Sequence, residues 1–415
     1  MSTTVVIGGG VIGLCCAHEL ARRGERVVVL EGEKPGAASW ASGGWVVPTF
    51  SGPLPAPGVI RSVLPSMLRR ASPFFLNPMA LPELTGWLWS FWRHSNARDY
   101  ARGLEAVAAL NRRTMALYDA LQQDGVSFEM HKSGVLFAYL DRTHAAHLLE
   151  DLDRLEPLGY RRPEMLGPRD LRDLEPALGP AVVAGLLVEI ERHIRPDTLL
   201  DGLRRRLTQL GADLRTGVAV TNVRRRHSGV VAVVTTQGDV AADRFLLAAG
   251  VWSNALARRC GFMLPVQAAK GYCVTVPSAA PLFRRPIYLS GARIVCSPFH
   301  GASQIAGWLE LSGINPRVDA YRIEAMTRLA TRYLPGWRPA QAERRAGMRP
   351  LAPDGLPVIG PAPRLENLFV ATGHGMLGIT LAPATARVIA DLITRGAAEE
   401  DLAPFSPGRF GGATW

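Results

Sequence analysis

A run of five residues, Thr3 to Ile7, leads directly into GGGVIG, Gly8 to Gly13. In such a loop Gly8 permits a tight turn, Gly10 lets the backbone approach a pyrophosphate, and Gly13 allows a helix to pack closely on the strand before it. Val11 and Ile12 open that helix, whose first N–H groups and partial positive charge suit phosphate oxygens. Glu31 closes the next apolar run, where a carboxylate accepts ribose hydroxyls and repels the 2′-phosphate of NADP. Together these residues predict a dinucleotide site but leave NAD and FAD open. A second glycine loop lies late in the chain, in NLFVATGHGMLGITL (residues 367–381). Gly373, Gly375 and Gly378 bend the backbone after a strand, and a helix is expected to start near Thr380. N–H groups and the helix dipole there, around Met376 and Ile379, can stabilise negative charge on a reduced isoalloxazine, which favours FAD. His374 reads as a hydrogen-bonded loop histidine before it reads as a base.

The elements that position these residues follow from periodicity. Residues 3–7, 11–23 and 26–30 read as one βαβ unit, and residues 35–58 as a long loop rich in Gly, Ala, Ser and Pro. Residues 105–124 carry the spacing of a single amphipathic helix. Strands are expected over 134–140, 182–190, 213–223, 230–236 and 244–248, with a helix over 196–210. Alternation over 270–311 predicts antiparallel strands with turns at Gly291 and Gly301. A helix over 318–333 and a strand over 367–371 complete the pattern. The return to strand, glycine loop and helix implies two interleaved domains.

Composition narrows the function classes. The 415 residues are 47% hydrophobic and carry a net charge of +11, enough for two or three domains with real cores. The arginines are dispersed and no block interleaves them with aromatics, so nucleic-acid binding is not expected. The five cysteines form no CxxC or Cys/His spacing, so no metal site is expected and all five read as packing residues in a reducing compartment. No basic leader precedes the first strand and no uncharged apolar stretch is long enough to span a bilayer. The expected location is the cytoplasm or the periphery of the inner membrane. LTGWLWSFW (residues 84–92) reads as a buried helix or pocket wall, and as the one place for a membrane-surface contact.

The set GGGVIG…LE, ASGG (41–44), PAPGV (55–59), LGAD…VTNV, AAGVWS (248–253), KGY (270–272), GMRPLAPDGLPVIG (347–360) and ATGHGMLGIT resembles the FAD-dependent D-amino-acid oxidase family. The likeness is strongest to its bacterial D-amino-acid dehydrogenase and glycine oxidase branches. It implies an α/β fold, with a Rossmann-type, glutathione-reductase-like FAD-binding domain interleaved with an α+β substrate domain built on an antiparallel sheet. Residues 1–50, 190–262 and 343–415 are expected in the first, and 51–189 and 263–342 in the second. The resemblance places Ser42, Gly43 and Gly44 close to the flavin, Val220 at the adenine end, and Gly250 and Trp252 along the FAD. It assigns Arg349 to the substrate carboxylate, a task for which a guanidinium fork is suited. Either Tyr288 or Arg293 completes that clamp, or Arg293 meets a second acidic group of the substrate. Trp45 follows the ASGG turn and reshapes the pocket or simply packs. Relatives with covalent FAD carry a cysteine near GMRP; here Gly347 and Met348 stand there, so FAD is expected to be non-covalent. The implied activity is oxidation of the Cα–N bond of glycine, an N-substituted glycine or a D-amino acid, with oxygen or a quinone as electron acceptor. An electron-transferring subunit without its own amine site is the alternative.

Overall fold

The structure, a computed structural model, describes residues 2–33 and 36–411. The expected loop over 35–58 and the expected unit 343–415 each have an end outside those residues. The N-terminal strands Thr3–Ile7 and Arg26–Glu31 pair in parallel, flanking the helix Val11–Arg22. β-Branched residues buried on both faces make them central strands, as helices covering a parallel sheet require. The full order of this six-stranded sheet is Asp213–Thr216, Arg26–Glu31, Thr3–Ile7, Arg244–Leu247, Leu368–Thr372 and Val358–Pro361. All pairings are parallel except the last. The helix Gly378–Arg395 lies against Val11–Arg22, and Leu14, Cys15, Leu381 and Val388 share one buried core. Burial pushes the Cys15 thiol up to about 12, and all five cysteines are buried and unpaired.

A second, nine-stranded sheet runs in the order Glu343–Leu351, Gln267–Pro277, Ala302–Leu311, Ile294–Phe299, Ile287–Leu289, Val135–Tyr139, Ala184–Val188 and Met165–Leu166. The short strand Phe74–Leu76 adds to Ala302–Leu311. The sheet is mixed and not purely antiparallel: Phe74–Leu76 and the pair Ile287–Leu289 with Val135–Tyr139 run parallel. Both parallel pairs join segments distant in sequence, where no hairpin imposes antiparallel direction.

Three local expectations differ from what is observed. Residues 105–124 do not form one helix but the end of Ala97–Asn111 and all of Thr114–Gln123. The break falls where two buried polar side chains need partners: Asn111 Nδ2 lies 3.4 Å from the Pro48 carbonyl and the Thr114 hydroxyl donates to the Thr380 carbonyl at 3.2 Å. Residues 213–223 split at Gly217, whose φ of +73° turns the chain from the six-stranded sheet into a separate meander, Val220–Arg226, Gly229–Thr235 and Gly238–Ala241. Residues 36–58 hold short helical turns and the strand Trp45–Val46, which pairs with Arg192–Ile194.

Residues 84–92 lie in the helix Leu81–His94, with Leu84, Trp87 and Phe91 buried and Trp89 and Trp92 more than half exposed. Among the described residues no helix is long and apolar enough to cross a membrane.

Candidate active site

One cavity of about 1710 Å³ runs from the first glycine loop to the face of the large sheet. It exceeds the roughly 300–1,000 Å³ of sites for drug-sized ligands, so it has room for a dinucleotide and a small substrate together. Gly8, Gly10, Val11 and Ile12 line one end, with Glu31 beside them. Gly8 holds φ +124°, and a Cβ there would stand 2.3 Å from the Ala248 carbonyl oxygen, so the turn admits no side chain. The Val11 N–H, in the first turn of the helix, donates to the Ser39 hydroxyl at 3.1 Å, and both residues line the cavity. Glu31 is held by Arg204, whose Nη2 lies 2.9 and 3.0 Å from the two carboxylate oxygens. These features fit the pyrophosphate and ribose of a dinucleotide: a backbone cradle, a helix N-terminus and an acid at the strand end.

The late glycine loop forms another wall. Gly375 N–H donates to the Pro350 carbonyl at 2.7 Å, fastening the loop to the segment that follows Arg349. The helix starts at Gly378, two residues before the expected point, so Ile379 and Thr380 already sit in its first turn. Thr380 is buried; its hydroxyl accepts from Val47 N–H at 3.1 Å and reaches the Trp45 carbonyl at 3.2 Å. His374 Nε2 pairs with the Thr385 hydroxyl at 3.0 Å, and burial drives its pKa down to about 3, so the ring is neutral at physiological pH. Its Nδ1 is buried without a partner among the described residues.

The far end is built on the large sheet. Arg349 sits on Glu343–Leu351 and reaches across the neighbouring strand to donate Nη1 to the Trp308 carbonyl at 2.7 Å. That carbonyl is free for a geometric reason. The strand Ala302–Leu311 pairs with Ile294–Phe299 up to Gly307, then with Phe74–Leu76 from Leu309 onward. Trp308 takes the left-handed φ of +61° at a bulge on the opposite edge, where Lys270 pairs with Glu310 and Tyr272 with Gly307, so that Trp308 and Leu309 face Gly271 alone and the Trp308 oxygen is left outside the ladder. Gly271 of the KGY motif makes room: a Cβ there would lie 2.1 Å from Arg349 Nη2. Burial lowers the Arg349 pKa to about 10, still charged at neutral pH.

Tyr288 stands on Ile287–Leu289 within an aromatic group. Its ring centroid lies 5.1 Å from Phe50, 5.7 Å from Phe137 and 6.3 Å from Trp45. Trp45 is buried, with its indole N–H on the Ser297 hydroxyl at 2.9 Å, and that hydroxyl reaches the Gly43 carbonyl at 2.6 Å. Arg293 follows the turn Ser290–Ala292 in a left-handed conformation, φ +52°, and lines the cavity.

Of the residues singled out in the sequence, Ser42, Gly43, Val220, Gly250, Trp252, Met376 and Ile379 also line this cavity. Gly13, Gly44, Gly373 and Thr380 stand behind the lining: Gly13 packs on Gly8 and Gly44 on Ile194. Sequence reading missed Phe50, Phe137 and Trp308, which sit in segments with no motif. It also missed Arg204, one of many arginines on a helix.

A strand–glycine loop–helix unit with an acid at the next strand end, opening into a cavity closed by a second sheet, defines a dinucleotide-binding α/β enzyme scaffold. The chain matches the FAD dependent oxidoreductase family over residues 3–392, and it belongs to that family. It is 32% identical over 421 residues to the D-amino acid dehydrogenase of Methylobacterium nodulans, covering 96% of this chain and 97% of that relative. Glycine oxidase from Geobacillus kaustophilus superposes with a TM-score of 0.75 at 26% identity, covering 99% of both chains. L-Proline dehydrogenase from P. horikoshii shares the fold, with a TM-score of 0.78 at 19% identity over 99% of this chain and 97% of that one.

Proposed function

We propose that this protein oxidises the Cα–N bond of a glycine, N-substituted glycine or D-amino acid, with FAD held non-covalently along the cavity. The observation that carries this reading is Arg349. Among the described residues its guanidinium has no carboxylate partner; one N–H is fixed on the Trp308 carbonyl and its head borders the cavity. A charged fork held in that way is prepared for a ligand carboxylate. The relatives named D-amino acid dehydrogenase and glycine oxidase support the same substrate class.

In this reading residues 1–50, 190–262 and 343–415 hold FAD, and 51–189 and 263–342 shape the substrate end. The strand Glu343–Leu351 is shared, since it pairs with Gln267–Pro277 of the large sheet and brings Arg349 there. The first glycine loop takes the pyrophosphate, Glu31 the ribose, and the Gly373–Thr380 loop the isoalloxazine edge. None of the five cysteines lines the cavity, which supports non-covalent binding.

Bound FAD supplies the two-electron acceptor for the hydride that leaves Cα. Arg349 fixes the carboxylate and with it the direction of the Cα–H bond. Trp45, Phe50, Phe137 and Tyr288 form an apolar wall that keeps water from the reacting carbon. The amine enters neutral, so its lone pair assists hydride departure without a protein base, in keeping with the neutral, hydrogen-bonded His374. The resulting imine hydrolyses to a 2-oxo acid and an amine or ammonia.

The test is to mix the oxidised protein anaerobically with D-amino acids, glycine and N-alkyl glycines and to follow the flavin band near ~450 nm. Bleaching by one of these classes is expected, followed by reoxidation with oxygen or a quinone. Failure of every amine to bleach a yellow protein would leave the electron-transfer alternative standing. Denaturation should release the yellow colour into the supernatant; colour retained on the chain would overturn non-covalent binding.

A further inference from the structure

Arg293 is placed for a ligand of its own. Arg293 is exposed and lines the cavity, and among the described residues its side chain makes no hydrogen bond or ion pair, while its backbone N–H is tied to the Ser290 carbonyl at 3.2 Å. Two other arginines that line the cavity are engaged, while Arg259, which also lines it, makes no hydrogen bond or ion pair among the described residues. Arg349 is on Trp308, and Arg345 is on Glu343 and the Trp40 carbonyl. The left-handed backbone at Arg293 costs about 1–2 kcal/mol for a residue with a Cβ. Glycine or asparagine would relieve that cost, yet an arginine occupies the position.

Its location completes the argument. The Arg293 carbonyl packs against Gly307, where a Cβ would stand 2.6 Å away. Gly307 precedes Trp308, whose carbonyl holds Arg349. The base of Arg293 therefore lies about one strand spacing, ~4.8 Å, from the strand that fixes the head of Arg349. Both arginines line the cavity. The four carboxylates that line the cavity are Glu31, Glu33, Glu150 and Asp151. Glu31 is taken by Arg204 and Asp151 by the Tyr100 hydroxyl at 2.6 Å, and none of the four pairs with either arginine. The Tyr288 hydroxyl, near Arg293, is likewise without a protein partner among the described residues. A single α-carboxylate neutralises one of these two cations; a ligand with two carboxylates neutralises both.

We propose that Arg293 is a receptor for a second carboxylate, and that the preferred substrate is an acidic amine, with the extra carboxylate on its side chain or on the substituent of its nitrogen. This rests on the amine-oxidation reading above. Arg349 holds the carboxylate next to the reacting carbon. Arg293, with Tyr288 as a hydroxyl donor beside it, holds the other.

The experiment uses FAD-loaded protein under anaerobic conditions, wild type and Arg293→Gln. D-Aspartate, D-glutamate and iminodiacetate are compared with D-alanine, glycine and N-methylglycine by the rate of flavin bleaching at low substrate. A charged, forked contact of this kind is worth on the order of 10–100-fold. Wild type should favour the acidic set by about that factor, and Arg293→Gln should lower the acidic-to-neutral ratio at least ~10-fold. A second readout needs no turnover: glutarate should perturb the wild-type flavin spectrum at lower concentration than butyrate, and this difference should vanish in Arg293→Gln. Preference of the wild type for neutral amines, or an equal loss on both sets in the variant, overturns the proposal while leaving amine oxidation intact. Absence of bleaching by either set overturns both.

Discussion

Gly271→Ala tests the anchor without touching its charge. In Gln267–Pro277, Gly271 has no left-handed backbone requirement, so alanine is compatible with the strand. Its Cβ, however, would lie 2.1 Å from Arg349 Nη2, 2.3 Å from Cζ and 2.5 Å from Nη1. Ordinary contact begins near 3.4 Å, so the guanidinium must retreat by about 1.3 Å, the difference between 3.4 and 2.1 Å. The obstacle is the end of a flexible side chain, so Arg349 moves and the sheet stays. That retreat breaks the 2.7 Å bond to the Trp308 carbonyl and tilts the fork away from its ligand. Charge-assisted hydrogen bonds of this type contribute roughly 1.5–3 kcal/mol each, so the loss of one corresponds to about a 10–150-fold weaker substrate complex. Anaerobic stopped-flow reduction, titrated with substrate, should show the apparent Kd for substrate rising by that factor. FAD content and thermal midpoint should stay near wild type. Unchanged substrate affinity in a folded, yellow Gly271→Ala protein would refute Arg349 as the anchor.

Other perturbations probe the remaining parts. Glu31→Gln keeps the shape of the ribose acceptor but removes its charge and leaves Arg204 without its ion pair; FAD affinity should fall about 10-fold or more, read by quenching of free FAD during reconstitution. Equal affinity would mean that Glu31 does not touch the ribose. Arg349→Ala should raise the substrate Kd further than Gly271→Ala does, and a smaller effect would show that alanine at 271 acts by some other route.

Glu191 offers a pH test. Its side chain is buried, one oxygen accepts from Thr49 N–H at 2.9 Å and the other has no partner, and burial raises its pKa from 4.5 to about 8. The folded protein therefore keeps a proton that the unfolded chain loses above pH ~4.5, and stability falls by about 1.4 kcal/mol per pH unit until the folded pKa is reached. Glu191→Gln, which cannot ionise, should gain over wild type as pH rises from 5 to 8 in urea denaturation; a pH-independent difference would show that Glu191 is ionised in the fold.

The N-terminal strand–loop–helix–strand unit was legible in the linear sequence because it is local. Turn, helix start and strand-end acid fall within residues 3–31, and their geometry follows from short-range sterics and hydrogen bonding. The helix–strand register there was legible to within a residue. The 105–124 helix was misread because propensity cannot see that Asn111 and Thr114 meet the carbonyls of Pro48 and Thr380. The strand Glu343–Leu351 was read as a motif and not as a strand, since its glycine, proline and three arginines disguise a strand edged by charge.

What the sequence determined by itself was a strand–glycine loop–helix–strand unit ending at Glu31 and the presence of Arg349 in the GMRP segment. Tertiary structure alone decided what that arginine faces. The free Trp308 carbonyl exists only because the strand bulges there against Gln267–Pro277, and the space for the guanidinium exists only because the residue opposite the bulge, Gly271, has no side chain. Such contacts join residues tens to hundreds of positions apart, and no local preference encodes them; they arise when sheet register is fixed by burial of the whole core.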